Sequence, residues 1–378
     1  MIQSEDKMEY RKLGRTGLEV SAIGVGNGGW SGLPEGQVQA LVREALARGV
    51  SYFDLAEADA RQRDEVGAAL DGQRDRAVLA VHLGSAIVNG QYEVTRDPQV
   101  AERFVADFLT RCHTDYIDVL FLHNCDAQDD YERLMRPDGL LGAALRLQRE
   151  GVARSIGFSG HAISTSRQAV ESGTVDVLMF PISLAGNAVA GKKELFDACV
   201  AHNVGLVAMK PYGGGKLLQQ GRTMDMDTWL TGGASLQLER TASITPVQCL
   251  SYVLAQTGVS TIVPGCQDLA QLAAALDYFQ ATEAEKDFSG LLAGFQQYVT
   301  GECVYCNHCL PCPETINIGQ TIRLYEMAQR QMTPPLRAAY AALAANAADC
   351  VQCGDCEERC PFGVEVIAAM ERAAALFG

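Results

Sequence analysis

Hydrophobic positions between residues 20 and 281 fall into two alternating patterns. One is the short, nearly unbroken β-branched and apolar run. Such runs are Val20–Val25, Ser51–Asp54, Ala77–Val81, Tyr116–Leu122, Ser155–Phe158, Val175–Phe180, Gly205–Met209 and Ser260–Val263. The other is the amphipathic stretch, as in Gln37–Arg48, where Val38, Leu41, Val42 and Leu46 recur at helical spacing. Helical stretches are also read at Asp64–Leu70, Ala101–Cys112, Leu140–Glu150, Ser166–Glu171, Lys193–His202, Pro246–Ala255 and Leu269–Tyr278. Continuous apolar strands are those of parallel sheets buried on both faces. The repeated strand–helix alternation predicts an α/β fold, a (β/α)8 TIM barrel. Tyr10–Leu18, with Gly14 and Gly17, predicts a hairpin beneath the barrel.

The pattern changes near residue 290. Gln320–Arg330, Pro335–Ala348 and Val364–Leu376 are rich in Ala, Leu, Met and Arg and read as three helices. The chain thus divides into a barrel at 1–290 and a small helical unit at 291–378. Between strand seven and the last barrel helix, Gln219–Ala242, with Trp229, has no regular period and reads as a lid or substrate loop.

Composition adds two points. The 378 residues carry a net charge of −15, and so acidic a chain is a poor ligand for nucleic acid or an anionic membrane. The polar start, Met1-Ile2-Gln3-Ser4-Glu5, and the absence of a long apolar run predict a cytoplasmic protein with no membrane partner. In that compartment thiols stay reduced, so clustered cysteines point to metal or catalysis before disulfides.

Of the 13 cysteines, Cys112, Cys125, Cys199, Cys249 and Cys266 are scattered and read as ordinary buried thiols. Cys303, Cys306, Cys309 and Cys312 run C-x2-C-x2-C-x2-C-P, and Cys350, Cys353, Cys356 and Cys360 run C-x2-C-x2-C-x3-C-P. The second spacing is that of bacterial ferredoxins, in which the fourth cysteine serves the other cluster. Two [4Fe–4S] clusters follow, one on Cys303, Cys306, Cys309 and Cys360, the other on Cys350, Cys353, Cys356 and Cys312. Zinc is the competing occupant of so many thiols.

Barrel chemistry sits at the C-terminal ends of the strands. Those positions hold Asp54, His82, His123-Asn124, Ser159-Gly160-His161, Lys210 and Gly265-Cys266. With "YRKLGRTGLEVSAIGVG" (10–26), "GVSYFDLA" (49–56), "TDYIDVLFLHN" (114–124), "SIGFSGH" (155–161), "VGLVAMKPYGGGKLL" (204–218) and "VSTIVPG" (259–265), the chain resembles the aldo/keto reductases. The likeness is to the subgroup fused to a C-terminal ferredoxin-like domain. It implies carbonyl reduction by NADP(H) or NAD(H), with a Tyr proton donor tuned by Lys and Asp and a His that orients the carbonyl. Asp54 and His123 match that Asp and His. The Tyr position is Asp59 and the Lys position is His82, so the proton donor is replaced.

Asp59 would act as an acid only if Asp54 and Glu57 repelled its charge; His82 and His123 are natural acid–base groups. The resemblance also implies a nicotinamide site at Ser159, Lys210, the loop Gly213-Gly214-Gly215-Lys216 and Gly265. Gln267 and Asp268 stand where the family holds the adenosine phosphate, which leaves nicotinamide binding open.

Three functions remain. The first is an iron–sulfur oxidoreductase acting on a small molecule, with an external electron-transfer protein as a further electron source. The second is a lyase, isomerase or epimerase using Asp54, Asp59, His82 and His123, alone or around a metal, with structural clusters. The third is an electron-transfer partner without chemistry of its own.

Overall fold

The computed structural model describes residues 8–186, 191–218, 224–225, 237–238, 244–292, 301, 303, 307, 309–330, 332–360 and 363–378. The proposed lid lies outside them, apart from one two-residue pairing, and so do Cys306 and Pro361. The chain opens with β1 (Tyr10–Lys12), β2 (Glu19–Ser21), β3 (Val25–Gly26), α1 (Gln37–Ala47), β4 (Tyr52–Leu55), α2 (Ala60–Leu70) and β5 (Val78–Leu83). A hairpin follows, β6 (Ser85–Val88) and β7 (Gln91–Val94). Then come α3 (Pro98–Arg111), β8 (Ile117–Leu122), α4 (Gln128–Leu134), α5 (Leu140–Arg149), β9 (Ala153–Ser159), α6 (Ile163–Glu171), β10 (Val177–Pro181), α7 (Lys192–Ala201) and β11 (Gly205–Met209). A short pairing of β12 (Met224–Asp225) with β13 (Gln237–Leu238) precedes α8 (Pro246–Leu254), β14 (Val259–Val263), α9 (Leu269–Leu276), α10 (Glu283–Lys286) and α11 (Ser289–Leu292).

Eight parallel strands pair in the order β14-β11-β10-β9-β8-β5-β4-β3. Parallel bridges Ile23↔Ile262 and Gly26↔Gly265 bring the first strand back to the last and nearly close the barrel. The two faces of each strand are sorted by period two. Tyr52, Val78, Ala80, Val119, Phe121, Val177, Met179, Val207 and Val263 form one cluster inside the barrel. Phe53, Leu79, Val81, Leu120 and Leu122 belong to the larger cluster that packs on the helices, with Val42, Val105 and Leu147. Full burial of one such side chain contributes about 1.5–3 kcal/mol. Phe121 fills the interior only because β9 has Gly157 beside it; a Cβ there would lie 2.3 Å from the ring.

The first barrel strand is shorter than the pattern predicts. Glu19–Ser21 pairs antiparallel with Tyr10–Lys12, so Val20 belongs to the hairpin, and Leu13 and Val20 close the bottom of the interior cluster. The β6–β7 hairpin is an addition to the predicted elements. Ser85 pairs with Val94 and Val88 with Gln91, around a two-residue turn in which Asn89 (φ 51°) and Gly90 (φ 77°) are both left-handed.

The C-terminal unit comprises α12 (Ile318–Arg330), α13 (Pro334–Ala341), α14 (Asp355–Glu358) and α15 (Val366–Phe377). Helix α13 ends sooner than its alanines predict, because the Asn346 side chain accepts from Ala348 N and starts a separate turn. Ile322, Tyr325, Leu336, Tyr340, Val366 and Met370 make a core of their own, with the Tyr340 and Phe377 rings stacked at 3.7 Å. No helix among the described residues is long and apolar enough to cross a membrane.

Candidate active site and cluster site

The inward stripes of β4, β5 and β8 continue upward, at the same period of two, into Asp54, His82 and His123 at the barrel mouth. All three are buried. His82 Nε2 lies 2.9 Å from Asp54 Oδ1, and its Nδ1 lies 2.7 Å from Nδ1 of His123. One pattern of neutral imidazoles satisfies both contacts, because a carboxylate only accepts. His82 then donates from Nε2 to Asp54 and accepts at Nδ1 from His123, which leaves His123 Nε2 as an acceptor.

The acceptor has a partner: the Tyr92 hydroxyl, on β7, is 2.5 Å away. Phe121 stacks on the His82 ring at 4.9 Å. Arg96 holds the end of β8 from outside, donating to the carbonyls of His123 (2.9 Å) and Asn124 (2.7 Å) and pairing with Asp130. Tyr92 was not among the sequence candidates. The signal for it was the Asn89-Gly90 dipeptide, a hairpin turn that carries the flanking residues to the mouth.

Asp59 is not part of this chain of contacts. It is the N-cap of α2, and its carboxylate accepts from Gln62 N at 2.9 Å. The residue that the resemblance sets at the tyrosine position is therefore engaged at the helix terminus. Replacing Asp59 with Ala is expected to cost about 1 kcal/mol of stability in urea unfolding, with turnover little changed.

The electrostatic pressure predicted for Asp59 falls on Glu57 instead. Burial pushes the Glu57 carboxyl up to about 7, the Gln62 hydrogen bond draws it down, and the Asp59 charge raises it again. The folded chain thus holds this proton more tightly than the unfolded chain does. The contribution to stability is full below the ordinary value of 4.5 and is lost as pH rises toward about 7. Glu57→Gln removes that dependence. The variant should gain stability over the wild type by up to a few kcal/mol between about pH 5 and about pH 8 in urea titrations.

The remaining barrel candidates form a second group. Lys210 Nζ is 2.6 Å from His161 Nε2, and His161 Nδ1 is 2.9 Å from Asp126 Oδ2, so Lys210 is engaged by a histidine rather than by Asp54. Gly213, Gly214 and Gly215 are consecutive left-handed residues, and a Cβ on Gly215 would meet nothing within 4 Å. The loop offers an open, bare surface suited to phosphate oxygens. Its cation, Lys216, is buried, with Nζ 3.5 Å from Glu326 of α12. Ser159 is buried at the end of β9. Gly265 makes the closing bridge, where a Cβ would lie 2.7 Å from Gly28 O. Asp268 caps α9 through Gln271 N at 2.8 Å, and Gln267 donates to Gly29 O at 3.2 Å.

The scattered cysteines are core residues. Cys112, Cys125, Cys199, Cys249 and Cys266 are all buried. Burial pushes the thiols of Cys112, Cys199 and Cys266 up to about 12 and that of Cys125 higher still, which leaves them protonated and poor nucleophiles at neutral pH.

In the C-terminal unit Cys312, Cys350, Cys353 and Cys356 line one cavity, walled by Ile316, Val366 and Met370. Four thiols in an apolar shell suit an iron–sulfur cubane, and these four are the set expected from the crossed ferredoxin pattern. The two cysteine runs are tied by Arg359, which donates to the carbonyls of Cys309 (3.0 Å) and Pro311 (2.8 Å). Val364 N donates to Cys360 Sγ at 3.5 Å.

His82 spends both ring nitrogens inside its hydrogen-bonded chain. At the barrel mouth, among the described residues, no three His, Cys, Asp or Glu side chains converge to hold a metal ion. The idea of a metal held between Asp54, Asp59, His82 and His123 has no support in this arrangement.

Comparison with known proteins agrees with the geometry. Residues 22–292 match the aldo/keto reductase family, and residues 302–365 match a 4Fe-4S dicluster domain. The oxidoreductase YqkF of Bacillus subtilis is 28% identical over 283 residues, covering 70% of this chain and 89% of that protein. Among solved structures, the holo form of the aldo-keto reductase AKR11C1 from Bacillus halodurans is 25% identical. It has a TM-score of 0.62 and covers 74% of this chain and 94% of that one. PA4992 of Pseudomonas aeruginosa, described as an aldo-keto reductase, is also 25% identical, with a TM-score of 0.55 and coverage of 72% and 95%. The chain is an oxidoreductase of the aldo/keto reductase family, extended at its C-terminus by a 4Fe-4S dicluster domain.

Proposed function

We propose that the protein interconverts a carbonyl and an alcohol on a small molecule at the barrel mouth. The proton is handled by Asp54, His82 and His123, with Asp59 left to its helix. The observation that carries this is the continuous, buried hydrogen-bonded chain from Asp54 through His82 to His123 at the C-terminal ends of the strands. Asp54 fixes the tautomer of His82, and His82 fixes that of His123. His123 Nε2 is thereby the atom at which a proton is taken up or released.

NADP(H) or NAD(H) is the proposed hydride source. Ser159, Lys210, Gly213, Gly214, Gly215 and Gly265 would hold it, and the open face of Gly215 supports that placement. When bound, a nicotinamide supplies hydride to the carbonyl carbon. Lys216, whose Nζ also lies 3.5 Å from Glu326, would supply the cation of the same loop.

The chain is divided at residue 290, and 291–378 would carry two [4Fe–4S] clusters. Cys312, Cys350, Cys353 and Cys356 would hold one, and Cys303, Cys306, Cys309 and Cys360 the other. An external electron-transfer protein would exchange electrons with them.

The test uses acetophenone in deuterated buffer with anaerobically purified protein. Consumption of NADH or NADPH in step with 1-phenylethanol supports the proposal. Deuterium entering the methyl group, with no alcohol formed and no electron donor needed, would favour the isomerase-type alternative.

A further inference from the structure

The family's tyrosine is missing from the loop after β4, yet a tyrosine hydroxyl does meet His123, and it comes from another element. We propose that Tyr92 is the proton donor of the barrel site, delivered by the β6–β7 hairpin and held in place by the cluster domain. The assignment rests on the carbonyl–alcohol reading above.

Three observations carry it. The Tyr92 hydroxyl is 2.5 Å from Nε2 of His123, the one ring nitrogen of the Asp54–His82–His123 chain left as an acceptor. The ring of Tyr92 meets that of His123 edge-on at 5.9 Å and packs against the hydrophobic core of the C-terminal unit. The neighbouring Gln91 accepts, through Oε1, from the backbone N of Cys312 at 3.3 Å. The hairpin is therefore seated on the first cysteine run on one side and on the catalytic histidine on the other. A phenol is also the right chemical type: it gives a proton to a forming alkoxide, which a helix-capping carboxylate does not.

The step balances. In the reducing direction His123 carries a second proton, on Nε2. With a reduced nicotinamide bound to supply hydride to the carbonyl carbon, the Tyr92 O–H bond would break and the substrate would gain its hydroxyl proton. The Tyr92 oxygen in turn takes the proton from His123 Nε2. The imidazolium charge disappears, and the pair ends in the neutral arrangement deduced above, with Tyr92 donating to His123. Solvent recharges His123 for the next cycle.

Tyr92→Phe removes the hydroxyl and keeps the ring that packs on the C-terminal core, so iron content and melting temperature serve as controls on folding. With acetophenone and NADH, kcat should fall by roughly a hundred-fold or more while KM stays within about two-fold. A second readout does not depend on turnover. In protein labelled with 15N-histidine, the Nε2 signal assigned by its loss in His123→Gln should move in Tyr92→Phe, and the signals of the exposed histidines should stay in place. Wild-type turnover in Tyr92→Phe, or an unmoved His123 signal, would overturn the assignment. A wild-type protein that reduces no acetophenone but deuterates its methyl group counts against the underlying function instead.

Discussion

His82→Gln lowers kcat by on the order of 10²–10³-fold, measured on the same carbonyl probe, with iron content unchanged. The residue stands between Asp54 and His123 and is bonded to both, so its loss disconnects the carboxylate from the imidazole that meets Tyr92. General acid–base catalysis contributes about 10²–10⁴-fold where it operates. A glutamine amide reaches one neighbour or the other but does not relay a proton between them. It also leaves His123 Nδ1 or the Asp54 carboxylate short of a partner in a buried setting. Stability should therefore fall by about 1–3 kcal/mol in urea unfolding. A variant that loses the stability but keeps the rate would assign the chain to structure rather than to proton transfer.

The second large effect is expected from Cys356→Ser. This cysteine is buried in the C-terminal core and lines the same cavity as Cys312, Cys350 and Cys353. With one ligand changed, iron should fall from roughly eight to roughly four per chain. The C-terminal helices should become the first part of the molecule cut by protease. A unit of this size needs such staples, because its own hydrophobic core alone supplies only a few kcal/mol. The barrel, whose cluster of apolar side chains is separate, should still melt cooperatively. Turnover should drop as well, since Gln91 leans on the backbone of Cys312. A Cys356→Ser protein with undiminished iron would show that Cys356 is not a cluster ligand.

Much of this was legible in the sequence, and the reasons are physical. The barrel strands are apolar on both faces, so each run is visible without its partners. The two cysteine runs carry their chemistry in their spacing. Asp54, His82 and His123 are the residues next after an inward apolar position on three strands, which is where a period of two places them. Asp59 misled because its distance from Asp54 suits a catalytic residue and a helix N-cap equally, and only the position of Gln62 N decides between them. Glu57 was noticed for its effect on Asp59; which of two neighbouring carboxyls keeps the proton depends on burial, which spacing does not reveal. Tyr92 was within reach through Asn89-Gly90. Its meeting with His123 was not, because it depends on how a hairpin folds over the mouth. The Lys216–Glu326 pair joins residues far apart in sequence and left no local trace.

The interior stripes of the barrel have an evolutionary consequence. Each ends in a single side chain at the mouth, while the positions beneath it are packed among themselves. The last residue of a stripe can change its chemistry without disturbing those below, much as a tool is changed in a fixed handle. A histidine at position 82, where the resemblance sets the family's lysine, would be such an exchange. The loss of a tyrosine from one loop is survivable if a neighbouring insertion brings another to the same histidine. Lineages of this barrel can then move their proton donor from loop to loop while strand order and register stay as they were.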